Sequence, residues 1–108
     1  MSRRMHWMML AVALMAATAV MRAERHVISQ KGKTFSMAAL TVKVGDEVVF
    51  ENDDDITHNV FTNSEGNAFN LRTQAPGTAS SHKFEKEGVA EIRCAFHPRM
   101  RLTVTVRK

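Results

Sequence analysis

The sequence predicts an all-β protein folded as a sandwich of two sheets. Beyond the N-terminal segment, apolar residues follow a two-residue period rather than the 3.6-residue period of helices. The apolar runs are short, and turn-forming residues separate them. At 108 residues the chain has room for one domain. Six or seven short strands with frequent turns are typical of an antiparallel sandwich.

The predicted strands follow one another with turn residues at the junctions. The clearest is the last, where Leu102, Val104 and Val106 share one face. Gly45 and Asp46 supply one of the turns. Residues 67–79 have little periodicity, so this segment is predicted to be a long loop or to carry a helical turn. The predicted strands are residues 25–29, 40–44, 48–50, 58–62, 80–84, 89–94 and 102–107.

The N-terminal segment has the layout of a secretory signal peptide. Arg3 and Arg4 precede an uncharged apolar run, residues 7–20, which ends among small residues. A retained membrane anchor and a buried core helix are the alternatives. A helix that crosses the hydrocarbon needs about 20 predominantly apolar residues, and Arg22 and Glu24 cut this run short.

Residues 1–23 are therefore predicted to be a signal peptide, with cleavage after Ala19 or Ala23, and residues 24–108 the mature domain. We expect a periplasmic protein without stable membrane insertion after processing. Removal of the leader also changes the charge: the full chain has 15 basic and 11 acidic residues. From Glu24 onward twelve basic residues face the same eleven acidic ones, a net charge of +1. This balance disfavours nucleic-acid binding, which needs a sustained basic patch.

One short segment concentrates metal-binding side chains. Cys94, His97 and Met100 follow one another at three-residue intervals between two predicted strands, so a tight loop could direct all three to one point. Thiolate and thioether favour Cu(I), and imidazole tolerates both oxidation states of copper. Two histidines, one cysteine and a weak axial methionine form the blue-copper arrangement, which requires one further histidine. His58, at the start of a predicted strand, is the candidate.

Each of these residues also has a simpler interpretation. Cys94 could be a small buried apolar residue, His97 a turn residue before Pro98, and Met100 a core residue. The coincidence of all of them in one pattern favours a metal site. Structural zinc remains an alternative occupant because it accepts the same donors.

Three segments together resemble the cupredoxin family of type 1 blue-copper proteins. They are residues 45–50, the sequence His58-Asn59-Val60, and the Cys-x2-His-x2-Met loop that begins at Cys94. The short loop is similar to that of the amicyanins, whereas plastocyanins and pseudoazurins have more residues before the methionine. The resemblance covers about residues 34–107.

The resemblance implies a Greek-key β-sandwich that holds one copper per chain. Its implied ligands are His58, Cys94, His97 and Met100, and Asn59 is implied to tie the two ligand loops together by hydrogen bonds. The implied function is single-electron transfer, not enzyme catalysis, by a monomer that exchanges electrons with redox proteins such as a dehydrogenase and a cytochrome c or oxidase. The alternative is a copper-handling protein that stores, delivers or senses the ion.

The sequence lacks the residues that other redox cofactors require. The sequence has no Cys-x-x-Cys-His for covalent haem, and one cysteine is too few for an iron–sulfur cluster. His26 and His82 fall outside the copper pattern and are predicted to have surface or strand-lining roles. The acidic run of residues 51–55 is predicted to be a solvated turn, with partner docking or a second metal as its functional alternatives.

Overall fold

A computed structural model of the chain describes residues 22–108, and these residues form nine strands and no helix. The strands are short because turn residues interrupt each apolar run. In chain order they are β1 (Arg25–Lys31), β2 (Thr34–Phe35), β3 (Ala39–Lys43), β4 (Glu47–Asn52), β5 (His58–Thr62), β6 (Phe69–Gln74), β7 (Ala79–Lys83), β8 (Gly88–Arg93) and β9 (Arg101–Arg107).

The strands form two sheets that pack face to face. One sheet has four strands in the order β2-β1-β4-β7, and the other has five in the order β3-β9-β8-β5-β6. The pairs β1/β4 and β3/β9 are parallel, and the other pairs are antiparallel. The predicted all-β sandwich is therefore confirmed, but two of its strand pairs are parallel.

The core lies between the sheets and is built from alternate residues of each strand. In β9 the side chains of Leu102, Val104 and Val106 are buried, and the residues between them are not. Burial of each such side chain stabilises the fold by about 1.5–3 kcal/mol. Phe50 of the first sheet lies 6.3 Å, between ring centroids, from Phe69 of the second. Aromatic contacts of this kind bind the two sheets to one another.

The prediction for residues 67–79 is wrong in part, because β6 occupies the middle of this segment. β6 pairs with β5, and the register shifts between Asn59 and Phe61. Phe69 and Leu71 alternate with exposed residues, but Arg72 adopts a positive φ of 64° and interrupts the alternation. Such a local backbone irregularity hides the two-residue period from a reading of the sequence.

Strand direction brings two loops to one end of the sandwich, which we call the upper end. β4 ends at Asn52, residues 53–57 form a loop, and β5 begins at His58. β8 runs antiparallel to β5 and therefore ends beside the start of β5, so the connection of residues 94–100 lies at this end as well. The opposite, lower end carries the turn before β4 and the start of β1, because β1 and β4 are parallel.

The predicted leader, residues 1–23, lies almost entirely outside the described residues. Residues 22–108 contain no helix with the length and hydrophobicity that a bilayer crossing requires.

Candidate metal centre

Two of the predicted ligands, His58 and Cys94, face each other in the interior of the upper end. His58 is fully buried and Cys94 is 2% exposed. The distance between His58 Nδ1 and Cys94 Sγ is 3.8 Å. Metal–imidazole and metal–thiolate bonds of about 2.0 and 2.3 Å, at an angle of about 120°, place the two donors about 3.8 Å apart. The pair therefore fits a shared metal ion with trigonal geometry.

His58 is held in the orientation that this pair requires. Its other ring nitrogen, Nε2, lies 2.9 Å from Asp54 Oδ2. The carboxylate accepts a hydrogen bond from the Nε2 N–H, which leaves Nδ1 as the unprotonated nitrogen that faces Cys94. Hydrogen bonds from the backbone amide of Lys33 and from His58 hold the pKa of Asp54 well below its usual range. The carboxylate is therefore ionised at any physiological pH.

Asp54 was not predicted as a functional residue. The acidic run was predicted to be a solvated turn, and this is wrong for Asp54, which also accepts a hydrogen bond from the Lys33 amide at 3.0 Å. Its own amide donates to Asn52 Oδ1 at 3.0 Å. The only sequence signal for this role is the four-residue spacing between an acidic residue and His58.

Asn59 connects the two loops of the upper end, as the family resemblance implies. Its backbone amide donates to Cys94 Sγ over 3.3 Å, and its side-chain oxygen accepts from the Ala95 amide, also at 3.3 Å. Its side-chain nitrogen donates to Asn70 Oδ1 and to the Arg72 carbonyl at 2.9 and 3.1 Å. The hydrogen bond to sulfur also fixes the position of the Cys94 side chain.

The remaining predicted ligands lie on the tight turn after Cys94. The His97 amide donates to the Cys94 carbonyl at 3.3 Å, and the Met100 amide donates to the His97 carbonyl at 2.9 Å. The centroids of the His97 and His58 rings are 5.2 Å apart, with an interplanar angle of 71°. Met100 is 1% exposed and belongs to the same buried cluster as Cys94. The turn thus gathers Cys94, His97 and Met100 within one loop beside His58.

The surface above the turn is apolar at its centre and cationic at its edge. His97 is half-buried, and Phe96 is 54% exposed. These two residues line a shallow groove together with Lys33, Thr34, Pro98 and Arg99. The ring of His97 therefore reaches solvent within a small apolar surface flanked by two cations, Lys33 and Arg99.

The two other histidines of the domain have strand-lining roles, as predicted. His26 in β1 lies at the lower end, with Nε2 3.0 Å from Asp46 Oδ2. His82 in β7 stacks on Phe69, with ring centroids 4.0 Å apart and an interplanar angle of 13°. Burial lowers the pKa of His82, and nearby Glu85 opposes this shift.

Comparison with known proteins identifies a protein family to which the chain belongs and a relative of known name. Residues 23–107 match the family described as copper binding proteins, plastocyanin/azurin family. The methylamine utilization protein MauL of Methylorubrum extorquens is 37% identical over 68 residues, which are 62% of this chain and 60% of that protein. The alignment therefore spans less than two thirds of MauL.

Solved structures agree with this family match. A purple cupredoxin from Nitrosopumilus maritimus is 30% identical, with a TM-score of 0.67, over 75% of this chain and 98% of that one. The Cu(I) form of an amicyanin variant is 27% identical, with a TM-score of 0.71, over 77% and 82% of the two chains. A copper-containing nitrite reductase from Thermus scotoductus, 23% identical, has a TM-score of 0.72 over 78% of this chain and 22% of its own, and it shares the fold alone.

Proposed function

Because the chain belongs to the copper-binding plastocyanin/azurin family, we propose that it is a blue-copper electron-transfer protein. The proposed ligands of its single copper are His58, Cys94, His97 and Met100. The observation that carries the assignment is the buried pair of His58 Nδ1 and Cys94 Sγ, 3.8 Å apart. When bound, copper supplies a one-electron change between Cu(I) and Cu(II).

The residues around the proposed ligands limit how far those ligands can move when copper changes its oxidation state. Asp54 fixes the His58 ring through Nε2, and Asn59 fixes both the sulfur and the following amide. Outer partners of this kind orient the ligands and set their basicity. A donor set that keeps one geometry in both oxidation states favours fast electron exchange, since little rearrangement accompanies each transfer.

Electrons are proposed to enter or leave through the exposed edge of His97. Phe96 and Pro98 beside it are exposed, and Ile56 in the facing loop is half-buried. A small apolar face permits close approach with little desolvation cost, and brief contact suits a carrier that releases its partner after each transfer. Arg99, at the rim, would favour acidic partners and make association sensitive to salt.

The proposal assigns no bond-making or bond-breaking to the chain, so it is not an enzyme on this assignment. Its partners are a redox donor and a redox acceptor, for example a dehydrogenase and a cytochrome c or oxidase. The name of MauL refers to methylamine utilization, which makes such a pathway the first setting to test. We further propose export to the periplasm, with cleavage after Ala19 or Ala23. The product is then a monomer that consists of domain 24–108, preceded by residues 20–23 if cleavage follows Ala19. Intact mass of periplasmic material tests the processing, and a full-length product alone would contradict it.

The direct test is to load the purified protein with one equivalent of Cu(II) and record its visible absorption and midpoint potential. We expect an intense thiolate-to-copper band that disappears on reduction and returns on reoxidation. Met100→Gln should keep the band and lower the potential, because a harder axial ligand favours Cu(II). A colourless copper complex would refute the assignment, and preferential binding of zinc would support the structural-zinc alternative.

The copper-handling alternative predicts a different behaviour with acceptors. An electron carrier should reduce an oxidised cytochrome while its copper stays bound, whereas a delivery protein should lose copper to an acceptor or chelator at a comparable rate. The buried positions of Cys94 and Met100, 2% and 1% exposed, favour slow release. Copper loss faster than electron transfer would favour the handling function instead.

A further inference from the structure

A second group of potential metal ligands meets at the lower end of the sandwich. One ligand atom from each of Glu24, His26 and Asp46 lies within 4.8 Å of the others. We propose that these three residues form a binding site for a divalent cation of zinc type, separate from the copper site. One imidazole and two carboxylates are donors that zinc accepts in three-ligand sites completed by water.

The buried carboxylate of Asp46 is the anchor of this site. Its Oδ1 accepts the Glu24 amide at 2.8 Å, and its Oδ2 accepts the Lys43 amide at 2.9 Å. Each carboxylate oxygen has two lone pairs, so one remains on each oxygen after these backbone bonds. His26 Nε2 lies 3.0 Å from Oδ2. A cation could therefore replace the proton between His26 and Asp46 without breaking either backbone bond.

The distances and charge also fit a cation. Two bonds of about 2.0–2.2 Å from nitrogen and oxygen to one ion at the tetrahedral angle place the donors about 3.4 Å apart. The 3.0 Å between His26 Nε2 and Asp46 Oδ2 is within a small side-chain movement of this distance. Although burial raises the pKa of Asp46, hydrogen bonds from Glu24, His26 and Lys43 lower it to about 2. The anchor is therefore negatively charged at neutral pH and attracts a cation.

Access is provided by the other two residues. The side chain of Glu24 is 62% exposed and that of His26 is 20% exposed, while Asp46 lies beneath them at 1%. The site is thus closed on the protein side and open on the solvent side, from which a water ligand could approach. Both predicted cleavage positions leave Glu24 in the mature chain.

One neighbour competes with the cation. Lys43 Nζ lies 3.8 Å from Glu24 Oε1. In the absence of metal this ammonium partly neutralises the site, so metal binding must displace it from Glu24. Removal of the Lys43 charge should consequently tighten binding, an effect opposite in sign to loss of a ligand.

The site is far enough from the proposed copper ligands to be occupied independently. The six residues of β4 separate Asp46 from the loop that leads to His58, and at about 3.3 Å per residue this is roughly 20 Å. A bound cation would tie the first residues of β1 to the turn between β3 and β4. It would thereby hold the start of the domain against the sandwich.

The test is a chelator-buffered zinc titration of the copper-loaded protein at neutral pH, with the visible copper band recorded throughout. We expect one zinc per chain with an unchanged band. His26→Gln, which keeps a hydrogen-bond donor for Asp46, should weaken binding by at least about tenfold. Glu24→Gln should also weaken it, and Lys43→Gln should strengthen it.

His82→Gln is the matched control, because His82 lies two strands from His26, across Val48, and does not belong to the cluster. It should bind zinc like the parent. Because the comparison is between the parent and variants of the lower end, its outcome does not depend on which residues bind the copper. The proposal is overturned if no zinc binds at the lower end, which would appear as equal affinities in the parent and His26→Gln, or if zinc binding bleaches the copper band.

Discussion

Replacement of Asn59 by alanine should separate the two loops of the upper end while leaving every proposed copper ligand in place. The substitution removes three side-chain hydrogen bonds: one accepted from Ala95 and two donated, to Asn70 and to Arg72. At about 1 kcal/mol each, the loss in free energy of unfolding is about 3 kcal/mol. For a domain of this size the midpoint of thermal unfolding should fall by roughly 12–24 °C.

In the Asn59→Ala variant the visible copper band and the stabilisation by copper should respond differently. The backbone amide of Asn59 that donates to Cys94 Sγ is retained in the alanine variant, so the visible band should persist. Copper stabilises the folded chain by binding only when the ligands are assembled. Because the variant no longer holds the loops together in advance, the gain in unfolding temperature on copper loading should be smaller than in the parent.

The assay is thermal unfolding of the copper-free and copper-loaded forms, followed by circular dichroism. Asn63→Ala is the matched control, since Asn63 is exposed in the loop after β5 and its loss should change the midpoint little. A decrease of less than about 4 °C in the copper-free Asn59→Ala protein would correspond to under about 1 kcal/mol. That result would refute the argument that Asn59 joins the loops.

Three further predictions address the site and the sheets. Cys94→Ser should abolish the visible band and most of the copper affinity, because a serine hydroxyl stays protonated; a blue serine variant would exclude Cys94 as ligand. Asp54→Asn should lower Cu(II) affinity by about 10–100-fold and raise the midpoint potential, since His58 becomes a weaker donor; an equal shift in Asp55→Asn would indicate a general charge effect. Burial lowers the pKa of His82 in the folded protein, whereas the unfolded chain keeps a pKa of about 6.5. As pH falls below about 6.5, the unfolded chain therefore binds a proton more readily than the folded protein does, and the free energy of unfolding decreases. Urea unfolding at pH 7.5 and 5.5 should show a smaller loss of stability in His82→Gln than in the parent, and equal losses would contradict the prediction.

The fold could be predicted from the sequence where burial alone determines the pattern. In β9 the alternation of Leu102, Val104 and Val106 is uninterrupted, because that strand lies between two neighbours and presents one face to the core. β6 was not predicted because it is an edge strand with few apolar residues and a positive φ at Arg72. The parallel pairing of β1 with β4 was missed for another reason: alternation reveals which face is buried, not the direction of the partner strand.

The candidate site could be predicted to the extent that its chemistry lies in residue types and spacing. Cys94, His97 and Met100 are close in sequence, so one turn brings them together whatever the remainder of the fold does. His58 could be named only as a candidate from its place at the start of a predicted strand, because only tertiary structure places it beside Cys94. The lower-end cluster was not predicted at all: Asp46 was interpreted as a turn residue and His26 as a strand residue, and the two are 20 positions apart.

The role of Asp54 illustrates why orientation is harder to infer than ligation. The turn between β1 and β2 places Gly32 and Lys33 at positive φ, 62° and 58°, and this conformation directs the Lys33 amide to Asp54. The carboxylate then holds His58 through Nε2. Because this link depends on a backbone amide and not on the Lys33 side chain, Lys33→Gly should preserve it, whereas deletion of a turn residue should release Asp54. The orientation of a proposed copper ligand thus depends on the shape of a turn in another strand pair, about 25 residues away along the chain, and no residue type in that turn indicates it.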